Sequence, residues 1–376
     1  MAAQIETPQR IARLTPLDDV LARIDALVGP VAPREVGLAA AVGRVLAGDV
    51  MVAARPSNAL ALRDGWAVDS SLTRDASPYA PAPLPAAIRI DAGAALPPGS
   101  DAVAEIDAVV VRDGCVEAVA AVTAGEGVLQ PSADADGATA LAREGWSLNA
   151  VTAGALAAAQ VARIRIREPR LRVVRTRLPG DPIIDAAGVL LVHAIAAAGG
   201  VALDHPAVND RLQLADALQA EDADAVVAIG GTGCGRHDAS VATLARLGRV
   251  EAHGIAIAPG TTAAFGVVGE RPVLLLPGRL DGALAGWLLL GGPMLARLAG
   301  RSAPPAAVAA RLSRKVASNL GLAELIPVRL RDGQAEPLGS GYLPLQTVIQ
   351  ADGWILVGPD SEGHPAGTPV MVRPWP

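Results

Sequence analysis

The stretch Ala225-Val-Val-Ala-Ile-Gly-Gly-Thr-Gly-Cys-Gly-Arg-His-Asp238 passes in one step from an apolar run to a glycine loop to a helix start. The run Ala225 to Ile229, closed by Gly230-Gly231, reads as a central strand of a parallel sheet, where both faces are covered and no apolar/polar alternation is needed. The loop then lies at the strand's carboxyl end. Open α/β sheets bind ligands there, and a following helix offers free N–H groups to a phosphate or similar anion. Gly230, Gly231, Gly233 and Gly235 would let the backbone approach such a ligand closely. A tight strand-to-helix turn with no ligand has the same glycine pattern, so the loop alone leaves both readings open. It is not a Walker loop, because no Gly-Lys-Ser/Thr follows.

Elements of the same kind surround it. From Glu168-Pro169 onward, strands (171–176, 201–203, 225–229, 273–276) alternate with helices (184–198, 210–220, 238–247, 282–299) at the spacing of βαβ units. That alternation predicts a doubly wound sheet. Towards the amino end, Thr15 is a candidate N-cap with Pro16 at the first helical position, and Leu17, Val20, Leu21, Ile24, Leu27 and Val28 recur at helical spacing before Gly29-Pro30. A second short helix is expected within 38–50. Short β-like runs (88–90, 102–106, 109–112, 115–122) with turns such as Asp113-Gly114 make the next segment β-rich. Within it, 77–85 holds four prolines and reads as an extended surface loop. After a linker over 300–305, short strands with glycine turns to Pro376 predict a small β-barrel or sandwich. No internal repeat is visible.

Composition narrows the function classes. The chain has 376 residues, 51% apolar and 19% charged, which fits a globular protein of several domains. A net charge of −6 argues against nucleic acid as the main partner, since phosphate neutralisation needs clustered Lys and Arg. One Phe and two Tyr give little platform for stacked bases. Two distant cysteines, Cys115 and Cys234, point to a reducing compartment, with Cys234 read first as a small buried filler and second as a reactive thiol. The amino terminus lacks a signal-peptide core, so a cytoplasmic location is expected. The uncharged stretch 282–296 falls short of the ~20 residues that span a bilayer and predicts a buried helix rather than a membrane anchor. The five histidines show no metal-ligand spacing, and His253, in the strand region just before the 258–262 loop, is the histidine placed to touch a ligand there.

The order of motifs resembles one family, the molybdopterin molybdenumtransferases (MoeA-like proteins and the gephyrin E domain). Arg63-Asp-Gly-Trp-Ala-Val68 is similar to its Met-Asp-Gly-Tyr-Ala-Val, and Ala92-Gly-Ala-Ala-Leu-Pro-Pro-Gly-Ser-Asp-Ala-Val103 to its Thr-Gly-Ala-Pro-Leu-Pro-x-Gly-Ala-Asp-Ala-Val. Further matches follow in family order: 230–238, Pro259-Gly260 with Phe265-Gly266, Leu276-Pro-Gly278, 295–300, 339–341 and 361–363. The resemblance implies a multidomain α/β plus β chain. Its parts would be an elongated linking domain (8–50 with 127–167), a β-rich module (51–126), a central doubly wound α/β molybdopterin-binding domain (168–302) and a carboxyl-terminal β-barrel (303–376). It also implies a homodimer with the ligand site between the α/β domain and the partner's β-rich module, and molybdate, an adenylylated pterin and Mg²⁺ as the chemistry served.

On that resemblance the ligand-binding candidates are Gly230, Gly231, Thr232, Gly233, Gly235, Arg236, Pro259, Gly260, Thr261, Pro277, Gly278 and Arg279. Asp64, Asp134 and Asp238 stand at acidic positions of the family and are the catalytic candidates, with Asp64 and Asp238 as possible metal ligands. An Asp at a helix start is as readily an N-cap, and one before Gly65 a turn residue. The departures are equally specific. Ala258-Pro-Gly-Thr-Thr262 stands where the family has Lys-Pro-Gly-Lys-Pro, Gly254 replaces a third lysine, and Gly321-Leu-Ala-Glu-Leu-Ile-Pro327 lacks two arginines. Thr176-Arg-Leu-Pro-Gly-Asp-Pro182 replaces a Thr-Gly-Asp-Glu. Thr cannot replace a Lys at a phosphate contact without losing charge assistance. Arg63, Arg236 and Arg279, gained within the motifs, would relocate that charge if they face ligand, Arg236 and Arg279 into one crevice; solvated surface arginines are the other reading. Two functions are therefore expected. One is an enzyme of molybdenum cofactor biosynthesis with a remodelled, slow or inactive insertion site. The other is a non-catalytic carrier or sensor that hands the pterin to a molybdoenzyme. A nucleotide hydrolase on the same fold is a weaker third.

Overall fold

The computed structural model describes residues 9–176, 181–302 and 307–376. The chain forms two compact units, Asp49–Arg143 with Ala158–Val161, and the remainder of the described chain.

The larger unit is built on a mixed six-stranded sheet. Its strands are β1 (Arg170–Arg175), β2 (Val201–Asp204), β3 (Ala225–Ile229), β4 (Arg249–His253), β5 (Ala264–Val268) and β6 (Arg271–Leu276), in the order β2-β1-β3-β6-β5-β4. The first four in this order are parallel, with Val227 opposite both Val173 and Leu274. β5 and β4 add an antiparallel edge. The apolar run that predicted a central strand is one: all five residues of β3 are buried. Ala225, Val227 and Ile229 join one core with Leu171, Leu191, Phe265 and Leu274, while Val226 and Ala228 join the other with Leu214, Leu244 and Val273. Covering on both faces is why the run shows no alternation.

Helices α1 (Pro182–Ala197), α2 (Arg211–Gln219), α3 (Ser240–Leu247) and α4 (Leu280–Ala299) follow the strands. Asp181 caps α1, its Oδ1 accepting the N–H groups of Ile183 (3.1 Å) and Ile184 (3.3 Å), with Pro182 at the first helical position. α4 has 20 residues and is apolar enough to cross a bilayer by length and composition. Its Ala283, Trp287, Leu290, Leu295 and Leu298 instead pack in the core of the sheet, and a Cβ at Gly286 would strike the Leu276 side chain.

Two local expectations fail. The first helix is Leu17–Leu27, one residue later than expected, because the Thr15 backbone is taken by the chain at 254–256: its N–H donates to Gly254 O and its C=O accepts from Ala256 N–H. Residues 38–50 hold a single 3₁₀ turn, Leu38–Ala41, and a short strand, Val45–Leu46, which pairs with Arg163–Arg167. The apolar spacing there serves strand pairing, not a helix.

The carboxyl-terminal part is a closed barrel, not a sandwich. Strands β7 (Val308–Leu312), β8 (Ala323–Arg331), β9 (Gln334–Pro337), β10 (Gly353–Val357) and β11 (Pro369–Pro374) run β8-β9-β7-β11-β10 and close by β10 pairing with β8. Closure leaves no free sheet edge, and Leu312, Ile326, Val328, Ile355 and Val372 fill the interior. β8 also pairs, through Ala323 and Glu324, with Ile257 and Ala258 of the α/β part.

The smaller unit is β-rich, as its alternation predicts. Gly65–Val68 pairs with Ile88–Ile90 and Ala102–Ala104, and Val109–Arg112 forms a hairpin with Cys115–Ala118 across Asp113-Gly114, both at positive φ. The proline-rich segment is not wholly free, since Ala82–Pro83 pairs with 117–118. Residues 127–143, expected with the linking domain, pack in this unit, where Val128–Leu129 pairs with Leu60–Ala61. Glu126 accepts the Thr123 N–H at 3.1 Å and pairs with Arg63 at 2.9 Å, which holds its carboxyl below the usual carboxylate range, the backbone bond more than the arginine. A depressed folded-state pKa contributes stability that is present above the unfolded value and lost as pH falls through the folded one. Glu126→Gln is therefore expected to lower stability at about pH 7 by at most ~1 kcal/mol, given the solvent screening of this half-exposed pair. As pH falls through the lowered folded-state pKa of Glu126 the difference should vanish, as read from denaturation curves of the two proteins; a constant difference across pH would contradict it.

Candidate functional site

The glycine loop lies where β3 ends, beside the ends of β1 and β6: Gly230 N–H donates to Leu276 O (2.8 Å) and Thr176 N–H to Ile229 O (3.0 Å). Gly230 and Gly231 have φ of 94° and 69°, which only glycine adopts without strain. Ser240 holds the loop from the helix side, its Oγ on Gly230 O (2.8 Å) and its N–H on Gly231 O (3.0 Å). His253 joins through a ring nitrogen 3.0 Å from Thr232 O, and Thr232 and Thr262 hydroxyls meet at 3.0 Å. His253 thus braces the loop.

Two cavities flank the loop. One, of about 290 Å³, is lined by Gly230, Gly231, Thr232, Gly233 and Asp238 from the loop, by Thr262, and by Pro277, Gly278 and Arg279 after β6. Asp181 and Ile184, at the start of α1, complete it. The other, of about 420 Å³, takes Arg236 and His237 together with Asn209, Asp210 and Leu214. Eight of the expected site residues therefore meet at the first cavity, and Gly235, Pro259, Gly260 and Thr261 line neither.

Several expected roles change. Arg236 and Arg279 do not share a crevice, because the glycine loop separates the two cavities they line. Arg279 is also committed. Its Nε donates to Asp281 Oδ1 at 3.0 Å, a second guanidinium nitrogen bonds Oδ2, and the group lies 4.6 Å over the Tyr342 ring. The Asp281 hydrogen bond raises the guanidinium pKa further. Asp281 itself is 3% exposed and also accepts the N–H groups of Gly282 (2.8 Å) and Leu343 (3.2 Å), so the pair ties α4 to the barrel-side segment. Arg63 is committed likewise, to Glu105, Glu126 and the Val103 carbonyl of its own unit.

The acids divide. Asp238 is not the helix N-cap: α3 begins at Ser240 with no side-chain cap, and the Asp238 Oδ2 accepts Gly235 N–H (3.0 Å) to close the loop on itself. Asp64 accepts Ala92 N–H at 2.8 Å, joining the two family motifs of the smaller unit, and Asp134 is exposed there. Among the described residues no three His, Cys, Asp or Glu side chains gather to hold a metal ion. Cys234 is exposed, not a buried filler, and its Sγ bonds Gln9 O at 2.7 Å. Of the segment 176–182, Arg177 to Gly180 lie outside the described residues.

Sequence reading missed Gln9, Asp181, Thr262 and Asp281. An Asp before Pro is a capping signal that identifies Asp181. Gln9 and Thr262 are recruited from distant segments, and Asp281 acts through its burial beneath Arg279 two residues away; none carries a local signature.

Arg279→Ala tests its reassignment. Leaving the buried Asp281 short of a partner should lower stability by about 1–2 kcal/mol, the half-exposed guanidinium being partly screened, and should leave the salt dependence of anion binding unchanged. A drop in salt dependence without loss of stability would return Arg279 to the ligand.

A doubly wound domain with a glycine loop, a β-rich unit and a closed barrel defines the class, and comparison with known proteins gives the family. Residues 15–159 match the model of the MoeA N-terminal region (domains I and II), 173–297 that of a probable molybdopterin binding domain, and 309–375 that of the MoeA C-terminal region (domain IV). The chain belongs to the MoeA family and to molybdenum cofactor biosynthesis. It is 28% identical over 305 residues to molybdopterin molybdenumtransferase 2 of Mycobacterium tuberculosis, covering 70% of this chain and 74% of that one. A Methanocaldococcus jannaschii protein named for molybdopterin biosynthesis is 30% identical over 168 residues, 44% of this chain and 39% of its own length. The crystal structure of the molybdopterin biosynthesis MoeA protein of Pyrococcus horikoshii superposes with a TM-score of 0.76 at 26% identity, over 97% of this chain and all of that one.

Proposed function

We propose that the protein binds a phosphorylated or adenylylated molybdopterin at the glycine-loop cavity and inserts molybdate slowly or not at all. One observation carries this reading: no uncompensated cation lines the cavity among the described residues. Its charged lining is Asp181, Asp238 and Arg279, and Arg279 is paired with Asp281. The chain's one lysine, Lys315, stands in the barrel region. Ala258, Thr261 and Gly254 add a methyl, a hydroxyl and a hydrogen. Neutral N–H groups and hydroxyls can hold a phosphate, but stabilising the charge that develops during oxyanion transfer calls for preorganised cations or metal. The same observation favours the carrier role over the transferase role. Calorimetric titration of molybdopterin at low and high salt is the test. Binding that changes little with salt is expected, since few charges are paired; no binding, or a steep loss with salt, would contradict the reading.

A further inference from the structure

The residue most tightly laced into the glycine loop comes from neither the loop nor the strands around it. Gln9 lies more than two hundred positions away in sequence, yet its Nε2 donates to both Gly231 O and Gly233 O, each at 3.0 Å. Its Oε1 accepts Ala242 N–H in the first turn of α3 at 2.8 Å, and its backbone carbonyl accepts the Cys234 Sγ at 2.7 Å. Both the donor and the acceptor ends of one carboxamide are directed at the loop and the helix start behind it. The chain that brings it there is fixed as well. Thr15 pairs with Ile255, and a Cβ at Gly254 would run into Ile11 and Leu14, so Gly254 is the residue that lets this strap lie flat.

The bonds have a geometric consequence. In a trans peptide the C=O of one residue and the N–H of the next point in opposite directions. Holding the Gly231 and Gly233 carbonyls from one side turns the N–H groups of Thr232 and Cys234 to the other. Neither of these has a hydrogen-bond partner among the described residues. Gly231, Thr232 and Gly233 also line the 290 Å³ cavity. Two unpaired N–H groups turned to the side away from Gln9 form the kind of backbone nest that takes an anion.

We propose that Gln9 is a positioning residue: it fixes the peptide planes of 231–234 so that the Thr232 and Cys234 N–H groups are presented to a phosphate. This rests on the reading of the glycine loop as the phosphate site. It makes the amino-terminal segment a working part of the site instead of a leader to the first helix. Gln9→Glu is the discriminating change. It keeps the shape and the acceptor for Ala242 N–H but replaces the donor with a carboxylate that repels both carbonyls; Gln9→Asn keeps the donor on a shorter arm.

Two measurements separate this inference from the reading beneath it. The first is amide hydrogen exchange in the ligand-free protein. In Gln9→Glu the segment 230–238 should exchange about tenfold faster or more, as expected for two lost hydrogen bonds, with the strands and the thermal midpoint unchanged and Gln9→Asn between. The second is calorimetric titration with molybdopterin, where Gln9→Glu should weaken binding about tenfold, each net hydrogen bond contributing a fraction of that factor. Unchanged exchange in 230–238 would overturn the positioning role whether or not the pterin binds. Faster exchange with unchanged pterin affinity would also overturn it, since the loop would then move without consequence for the ligand. Failure of the wild-type protein to bind molybdopterin, with loop exchange still controlled by Gln9, would instead remove the phosphate reading and the presentation of N–H groups that depends on it.

Discussion

Replacing Gly233 with valine should weaken molybdopterin binding by roughly a hundredfold while the circular dichroism and thermal midpoint of the protein stay close to wild type. A Cβ at Gly233 would lie 2.8 Å from Asp238 Oδ2, the oxygen that accepts Gly235 N–H at 3.0 Å. The carboxylate has to move, and the bond that closes the loop goes with it. Valine's two methyl groups then enter the space that a phosphate would need against the backbone. Gly233 is half-buried and belongs to no strand or helix, so the core packing of β3 and α3 is untouched. Loss of the Asp238 closure and of the aligned N–H groups is expected to weaken binding by roughly a hundredfold, two to three hydrogen bonds to a charged group being worth that much or more. Affinity equal to wild type in a calorimetric titration would show that the ligand sits elsewhere.

Molybdate-dependent release of AMP from adenylylated molybdopterin should be at least a hundredfold slower than in a family member with lysines where this chain has Ala258, Thr261 and Gly254. Removing one preorganised charge that stabilises a developing anion costs about 2.7–4 kcal/mol. The arginines gained nearby do not restore what is lost. Arg279 is bonded to the buried Asp281 and stacked on Tyr342, and Arg63 is paired with two glutamates. Arg236 lines a different cavity. Comparable turnover in a side-by-side assay would mean that the chemistry uses groups outside this cavity and would remove the argument for a carrier.

How much of this was legible beforehand follows from the range over which each residue acts. β3 and its loop could be read because their signals are local: five apolar residues with no alternation, then glycines where φ turns positive. The family order of motifs carried the architecture, including the barrel, whose strands are individually too short to identify it. The small-unit hairpin at Asp113-Gly114 was likewise written in two residues. Roles set by distant partners were not legible. Asp238 looks like an N-cap, yet its carboxylate turns back to Gly235, because Ser240 supplies the first helical residue and bonds the loop itself. Arg279 looks like an anion contact until Asp281, two residues later, is seen to be buried beneath it. Cys234 looks like core filler because small residues surround it, but the loop carries it to the surface under Gln9. Gln9 itself has no pattern around it at all, and only the fold shows what its carboxamide does.

Mass spectrometry of the small molecules released on denaturing the purified protein tests the central claim most directly. The account predicts a phosphorylated pterin, or its oxidation product, from the wild-type chain and none from Gly233→Val. A wild-type protein that yields no pterin, or a variant that yields as much as wild type, would contradict the assignment of the glycine loop as a molybdopterin site.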